Sequence, residues 1–467
     1  MLLVFVLTVP LLNPWVRGDG VGYYAYARSL LIEHRLDFRD DWVRANASFR
    51  MSRFTPDGKI EPDQYTPTRH LDNHFSIGPA ILWFPFLLVA HAGVLIADRL
   101  GAHVAADGFS RPYLVAMSFG TALYGFLSLL ISFALARRFV PERWAFFATL
   151  GIWFGSSLPV YMYFNPSWSH AQSAFVVALF IWYWLRTRGR RNLAQWTILG
   201  VLGGLMMDVY YPNAFMLLFP AIESLVFYWS KLQQRRIDDA GDLLLKNIAF
   251  GAVLLAAFSP TLITKKIIYG SYFDTGYRYH WHLYSPAFFQ VSLSADHGLF
   301  TWTPILILSV VGLCLLQRYD RQFSWYSVVV FVSFSYFIGC YPDWDGISSF
   351  GNRFFISFTP LFVIGLAVFF DALARILHER RAILVSVSLT AVLLLWNLGL
   401  IFQWGTHLIP PRGPISWREA AYNQVAVVPK EAASGMAMYF AHRSNLMQHI
   451  DRTDVNGIKS QRERTTE

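Results

Sequence analysis

An all-α protein that threads a membrane many times is the fold class this sequence predicts, and three observations predict it. Only 15% of the 467 residues are charged while 55% are hydrophobic and 17% aromatic, so the chain needs lipid as part of its solvent. Apolar segments near the ~20 residues that span a hydrocarbon core recur along its whole length. Basic residues gather in five short junctions between those segments: Arg137-Arg138 with Arg143, Arg186 to Arg191, Lys231 to Arg236, Arg318 with Arg321, and Arg375 with Arg380-Arg381. That is how the positive-inside rule looks in a polytopic chain.

The first apolar segment, Met1 to Val16, is followed by no small-residue cleavage site. Asn13-Pro14-Trp15 runs straight into Arg17-Gly18-Asp19, so the segment reads as a retained helix. With the five junctions cytoplasmic, paired segments go out and come back at 143–162 with 170–185, 194–209 with 213–230, 243–264 with 299–317, and 323–340 with 354–375. Segments at 112–136 and 382–404 complete about eleven crossings. The stretch 76–97 is then surplus, because a full crossing there would put every basic cluster outside. It is expected to be a juxtamembrane or re-entrant element, interrupted by Pro79 and Pro85, within one long external loop, 17–111. Residues 1–404 thus form a transmembrane domain, and 405–467 an external or interfacial tail to which the sequence assigns no chemistry.

The net charge of +9 resides in these junctions, so no nucleic-acid partner is expected. Cys314 and Cys340 lie in or at the end of apolar stretches and indicate neither a disulfide framework nor a thiolate metal site. The chain has no tandem repeat and no Gly-x-x-x-x-Gly-Lys-Ser/Thr nucleotide loop.

Polar chemistry gathers in five external segments: Arg17 to His74, Asn165 to His170, Asp208 to Asn213, Asp274 to His297, and Tyr341 to Arg353. A site built from several loops over a helical scaffold belongs on that face. Asp19 can take a proton from an acceptor hydroxyl, or it can cap the helix that begins near Gly20. In the last loop Trp344 offers a face to a sugar ring, flanked by Asp343 and Asp345, and Arg353 can pair a phosphate. The alternative is an interfacial aromatic belt with a snorkelling arginine. His280 and His282, followed by Asp296-His297, have a weak metal-ligand spacing and read more readily as polar loop residues. Lys265-Lys266 can meet a phosphate or anchor to lipid headgroups.

Three stretches carry a resemblance to a known group: Gly18-Asp19-Gly20-Val21-Gly22-Tyr23-Tyr24 after the first helix, His74-Phe75-Ser76-Ile77-Gly78-Pro79 to Pro85, and Trp344-Asp345-Gly346 to Gly351-Asn352-Arg353-Phe354. The chain resembles the type C glycosyltransferase superfamily, and within it bacterial relatives of the protein O-mannosyltransferase and aminoarabinose transferase families. The resemblance implies a long first external loop with juxtamembrane helices and a donor sugar carried on polyprenyl phosphate. It also implies Asp19 as catalytic base or acceptor-orienting carboxylate, and Arg353 at the donor phosphate. Two departures stand out: Asp19-Gly20 where many relatives have an acidic pair, and Ser169-His170 where they have a second acidic residue. No metal or other cofactor is therefore expected, and His170 has a different local role.

The expectation is an inverting transfer of a hexosyl or pentosyl group from a polyprenyl-phosphate donor to a hydroxyl of a glycan, lipid or protein acceptor. It is placed at the periplasmic face of a bacterial inner membrane. Asp19 is the base, and Arg353, Asp343, Trp344, Asp345, Lys265, Arg278, His280 and His170 are candidates for binding donor phosphate or substrate. One rival is a glycan polymerase or ligase that moves whole lipid-linked oligosaccharides, and another is a lipid or sugar transporter without bond chemistry. Transporters carry ionisable groups at mid-membrane and repeat symmetry; here such groups cluster at loops, with Asp208 the main exception.

Overall fold

A computed structural model describes every residue except Arg190, Tyr279 and Glu467, and only the backbone of 460–466. Arg190 of the second basic cluster and Tyr279 beside His280 thus lie outside the described residues. Among those described, no strand forms; two isolated bridges, Phe54 with Ile60 and Tyr65 with Leu71, tie the first loop.

The principal helices are α1 (Leu2–Thr8), α2 (Asp19–Arg28), α3 (Gly78–Arg99), α4 (Arg111–Ala136), α5 (Glu142–Gly155), α6 (His170–Thr187), α7 (Leu193–Val209) and α8 (Leu218–Gln233). After these come α9 (Ile237–Tyr269), α10 (Ile305–Leu315), α11 (Arg321–Cys340), α12 (Thr359–Ile376) and α13 (Glu379–Gly405), and then three tail helices, α14 (Trp417–Ala426), α15 (Val428–Ala441) and α16 (Arg443–Thr466). Among the described residues seven helical segments are long and apolar enough to cross a membrane. Six coincide with crossings expected from the sequence, and the seventh is α3. Of the other expected crossings, 299–317 splits at Pro304, α5 ends at Gly155 before a turn at Val160–Phe164, the helices at Leu2–Leu11 and Leu193–Val209 are shorter, and α6 is unbroken but less apolar.

The register of α3 explains how so apolar a helix fits the charge pattern. Its Trp83 indole donates to Thr121 Oγ1 at 2.8 Å, the Tyr124 hydroxyl donates to the Leu82 carbonyl at 3.0 Å, and His91 meets Tyr113 at 2.6 Å. So α3 starts opposite the middle of α4 and runs antiparallel past its beginning. That middle already lies at the level of the loops, because Thr121 donates to the Pro166 carbonyl at 2.7 Å. The helix therefore starts beside the loops, although by length and composition it could cross a membrane. Pro85 does not break it; the substantial cost of an interior proline is borne without loss of the helix.

The five basic junctions meet at the opposite end. Arg188 pairs with Asp320 at 2.5 Å, Arg191 with Glu223 at 2.6 Å, and Arg143 with Glu379. Asp320 also caps α11 by accepting from the Phe323 N–H, and Asn192 with Gln195 forms a capping box on α7.

Between the ends, glycines let helices touch backbone to backbone. A Cβ on Gly200 would stand 2.7 Å from the Phe250 carbonyl oxygen, and one on Gly204 2.6 Å from that of Leu254, so the Gly-x-x-x-Gly face of α7 lies directly on α9. Gly312 and Gly365 do the same for α10 and α12. The last of these helices, α12, is buried on nearly every face and forms the axis of the bundle.

The tail returns over the loop end. Gln403 donates to the Ala420 carbonyl at 3.1 Å, and the Tyr439 hydroxyl to the Leu11 carbonyl at 2.7 Å. Arg443 reaches the carbonyls of Pro10 and Leu12.

The geometry sets a sidedness test. On a background lacking Cys314 and Cys340, Lys59→Cys and Ala102→Cys should both react with a membrane-impermeant thiol reagent from one side, and Gln234→Cys only from the other. Opposite labelling of residues 59 and 102 would mean that α3 crosses.

Candidate active site

The loop end closes around one ion pair. Arg353 Nη2 donates to Asp19 Oδ2 at 2.8 Å, joining residues 334 positions apart. The Asp19 side chain is 34% exposed and that of Arg353 10%, so a ligand approaches from the carboxylate side. Arg353 Nε is buried without a hydrogen-bond partner among the described residues, which leaves a charged donor to spare for an anion.

Backbone shape places Asp19. The N-cap of α2 is Gly18, with φ +52°, and Asp19 is the first residue inside the helix, with no side-chain cap bond. The capping alternative therefore fails. A side chain at Gly18 would meet the Trp168 ring at 3.0 Å, and one at Gly20 would stand 1.9 Å from Ser167 Oγ. Residues 18–20 lie flat on the 167–168 turn because both neighbours of the aspartate are glycines.

Trp168 joins the two halves of the site. Its indole N–H donates to the Arg17 carbonyl at 2.9 Å, and its ring centroid is 4.3 Å from the Arg353 guanidinium carbon. A cation over a tryptophan face at that distance is attracted by the ring quadrupole. Behind it, His170 is buried with its ring edge-on to Tyr161 at 4.8 Å and to Tyr210 at 5.7 Å.

The loop before Arg353 is held by its own hydrogen bonds. Ser349 Oγ donates to the Gly351 carbonyl at 2.7 Å, Asn352 Nδ2 to the Trp344 carbonyl at 3.1 Å, and the Phe350 N–H to the Tyr161 hydroxyl at 3.2 Å. Asp345 accepts from the Ile347 N–H at 3.2 Å and so shapes the turn. Asp343, Trp344 and Asp345 are half-buried, and Trp344 leans on the core.

A second cluster flanks the first. Lys265 Nζ donates to the carbonyls of Asn73 and Phe75, both at 2.9 Å, tying the 73–75 segment to α9. His74 is stacked between Phe75 at 4.2 Å and Tyr277 at 4.7 Å, and burial pushes its imidazole down to about 3, so it is neutral. Arg278 makes a two-pronged pair with Asp274 at 3.0 Å, and His280 is exposed. Tyr23, packed on Phe75 at 4.6 Å, connects this cluster to the Asp19 helix. Asp208 accepts from the Thr261 N–H at 3.2 Å, beside Pro260 of α9, so this ionisable group satisfies a backbone donor at a proline.

Sequence reasoning did not single out Trp168, although it stands in the short polar turn Asn165 to His170. Nor did it find the tail's part: Asp454 pairs with Arg17 at 2.5 Å, two residues before Asp19. Asp451 accepts from Asn46 Nδ2 at 2.8 Å and from the Ala47 N–H at 2.7 Å. Among the described residues no three His, Cys, Asp or Glu side chains are grouped as metal ligands.

No protein-family model matches the chain, and neither does any curated protein. Among solved structures it is similar to ArnT from Cupriavidus metallidurans in the apo state, at 15% identity and a TM-score of 0.50, covering 96% of this chain and 77% of that one. The chain has the type C glycosyltransferase fold. A second structure, the archaeal oligosaccharyltransferase AglB from Archaeoglobus fulgidus in complex with an inhibitory peptide and a dolichol-phosphate, is matched at 12% identity and a TM-score of 0.47, over 97% of this chain and 55% of that one.

One titration beside the site is open to measurement. Burial, helped by Asp345, pushes Asp296 up to about 6, and its Oδ1 is buried without a partner. Its neighbour His297, at 3.7 Å, is too distant for a hydrogen bond and is held neutral, at about 3, by burial and the Arg353 charge. A carboxyl raised in the folded state favours folding at low pH and loses that advantage as pH rises through its folded value. Asp296→Asn should therefore gain thermal stability over the parent as pH rises from about 4 to 6 and hold the gain above. Unfolding midpoints in detergent across that range check it, and a gain that does not change with pH would exclude this carboxyl as the cause.

Proposed function

We propose that the protein is a membrane glycosyltransferase that moves one sugar from a polyprenyl-phosphate donor to an acceptor hydroxyl, with inversion, at the loop end. The observation that carries the reading is the Asp19–Arg353 pair on a type C fold: a carboxylate a third open to solvent, held by a nearly buried arginine with a free Nε.

The chemistry follows from those two groups. The acceptor oxygen attacks the anomeric carbon from the face opposite the phosphate, and its proton passes to Asp19. The anomeric carbon–oxygen bond breaks, its electron pair leaves on the phosphate, and the growing charge is drawn to Arg353 through Nε and Nη. The guanidinium is bound to Asp19 in the unliganded protein, so an arriving phosphate competes for it and releases the carboxylate toward the acceptor. Trp168 keeps the guanidinium in plane while partners change. Lys265 and Arg278 flank this path, and their present partners assign Lys265 to positioning the 73–75 segment. The five loops touch one another at the end opposite the basic junctions, which supports an external, periplasmic site by the positive-inside rule.

Asp19→Asn keeps the size and removes the basicity, so turnover should fall by at least ~10²-fold, the lower range for general-base assistance, with expression near normal. Transfer of labelled sugar from polyprenyl phosphate, measured on purified protein, is the test, and near-parent turnover would end the base assignment. Arg353→Ala should weaken use of the donor more than that of the acceptor, with Lys rescuing only in part for want of the planar fork. Unchanged donor kinetics in a folded Arg353→Ala protein would leave the arginine a structural role only.

A further inference from the structure

A cavity of about 660 Å³ lies between the bundle and the tail, a volume within the ~300–1,000 Å³ range of ligand sites. Its walls are apolar: Phe154, Leu398 and Phe402 on the bundle side, Ala432, Met436 and Tyr439 on the tail side. Leu395 of α13 lines it and is yet 64% exposed, next to Val392 at 63%. The cavity therefore opens along a helix long and apolar enough to cross the membrane, toward the layer where lipid chains lie.

The other end is polar and charged. Asp454 holds Arg17 at 2.5 Å and His407 at 3.3 Å, and all three line the cavity. Arg412, next to the lining Pro411, is half-buried and makes no hydrogen bond or ion pair among the described residues, while feeling the charges of Asp454, Arg17 and Asp345. Arg17 is thus already paired with Asp454, whereas Arg412 feels the Asp454 and Asp345 carboxylates without a direct partner among the described residues and stays open to an arriving anion. This end adjoins the candidate active site: Arg17 is two residues from Asp19, and its carbonyl is held by the same Trp168 that supports Arg353.

We propose that this cavity takes the chains of an anionic, hydroxyl-bearing membrane lipid, and that this lipid is the acceptor, with its phosphate at Arg17 and Arg412 and its hydroxyl turned to Asp19. The acceptor role rests on the glycosyl-transfer reading above; the lipid site does not. An apolar slot open to the bilayer selects chains, the directly unpartnered Arg412 guanidinium draws an anionic head, and Arg353 with its spare Nε is left to the donor phosphate. In the transfer the headgroup oxygen bonds to the anomeric carbon, its proton goes to Asp19, and the polyprenyl phosphate departs with the electron pair.

The test uses the full chain in detergent with phosphatidylglycerol carrying a photoreactive diazirine on one acyl chain, and the matched phosphatidylcholine as control. Peptides covering 395–402 and 432–439 should be labelled, with phosphatidylglycerol preferred several-fold. Ala432→Trp should lose about ten-fold of that labelling, and Arg412→Gln, which leaves the slot intact, should abolish the preference between lipids. Asp19→Asn should label like the parent, so this readout is separate from turnover. Absent labelling of folded protein, or equal labelling of Ala432→Trp, overturns the site. Displacement by unlabelled polyprenyl phosphate at lower concentration than by phosphatidylglycerol overturns the acceptor role and gives the cavity to the donor chain.

Discussion

A guanidinium that is only a tenth exposed must have a counter-charge, and the rest of this molecule's loop end is arranged around supplying one to Arg353. Removing one partner of a buried pair leaves an uncompensated charge, which costs more than the pair itself contributes. Asp19 therefore has to be where it is, and the means are local: glycines on both sides so that its backbone can lie on the 167–168 turn, and a tryptophan that binds the Arg17 carbonyl with its edge and the guanidinium with its face. Arg353 in turn is fixed by the loop that Ser349 and Asn352 brace, and by α12, which has no free face on which to move.

Such a pair needs a rigid floor, and in lipid the floor cannot be built from hydrophobic exclusion alone, because lipid tails are as apolar as leucine. Close contact between small residues does that work here. Gly200 and Gly204 bring α7 onto α9, which carries Lys265 and through it holds the 73–75 segment, while Gly312 and Gly365 bring α10 onto α12. Both contacts lie below the site, so they set the distance between its two flanks.

Much of this was legible in the chain. Charge parity alone makes 76–97 an expected juxtamembrane element; the helix there is long and apolar enough to cross, runs unbroken through Pro85, and packs antiparallel on the first half of α4, so thiol labelling of residues 59 and 102 decides the matter. Asp19 and Arg353 were each readable as candidates, and their joining was not, since nothing in either local pattern reports a partner 334 residues away. Lys265-Lys266 reads in sequence as a phosphate contact or a lipid anchor; in the fold Lys265 donates to the backbone carbonyls of Asn73 and Phe75, partners that sequence cannot display. The tail was silent for a related reason. Asp451 and Asp454 stand in an ordinary polar helix, and only the fold turns that helix over the first loop.

That return has a consequence for how the protein comes into being. The frame of Asp19 is made of parts synthesised far apart in time: its aspartate emerges with the first loop, its arginine 334 residues later, and the carboxylate that grips Arg17 later still, 437 residues after Arg17 itself. Through most of its insertion into the membrane the nascent chain carries an aspartate with neither its arginine nor its cover. The order of synthesis thus leaves the Asp19 frame incomplete until α16 is seated on the first loop.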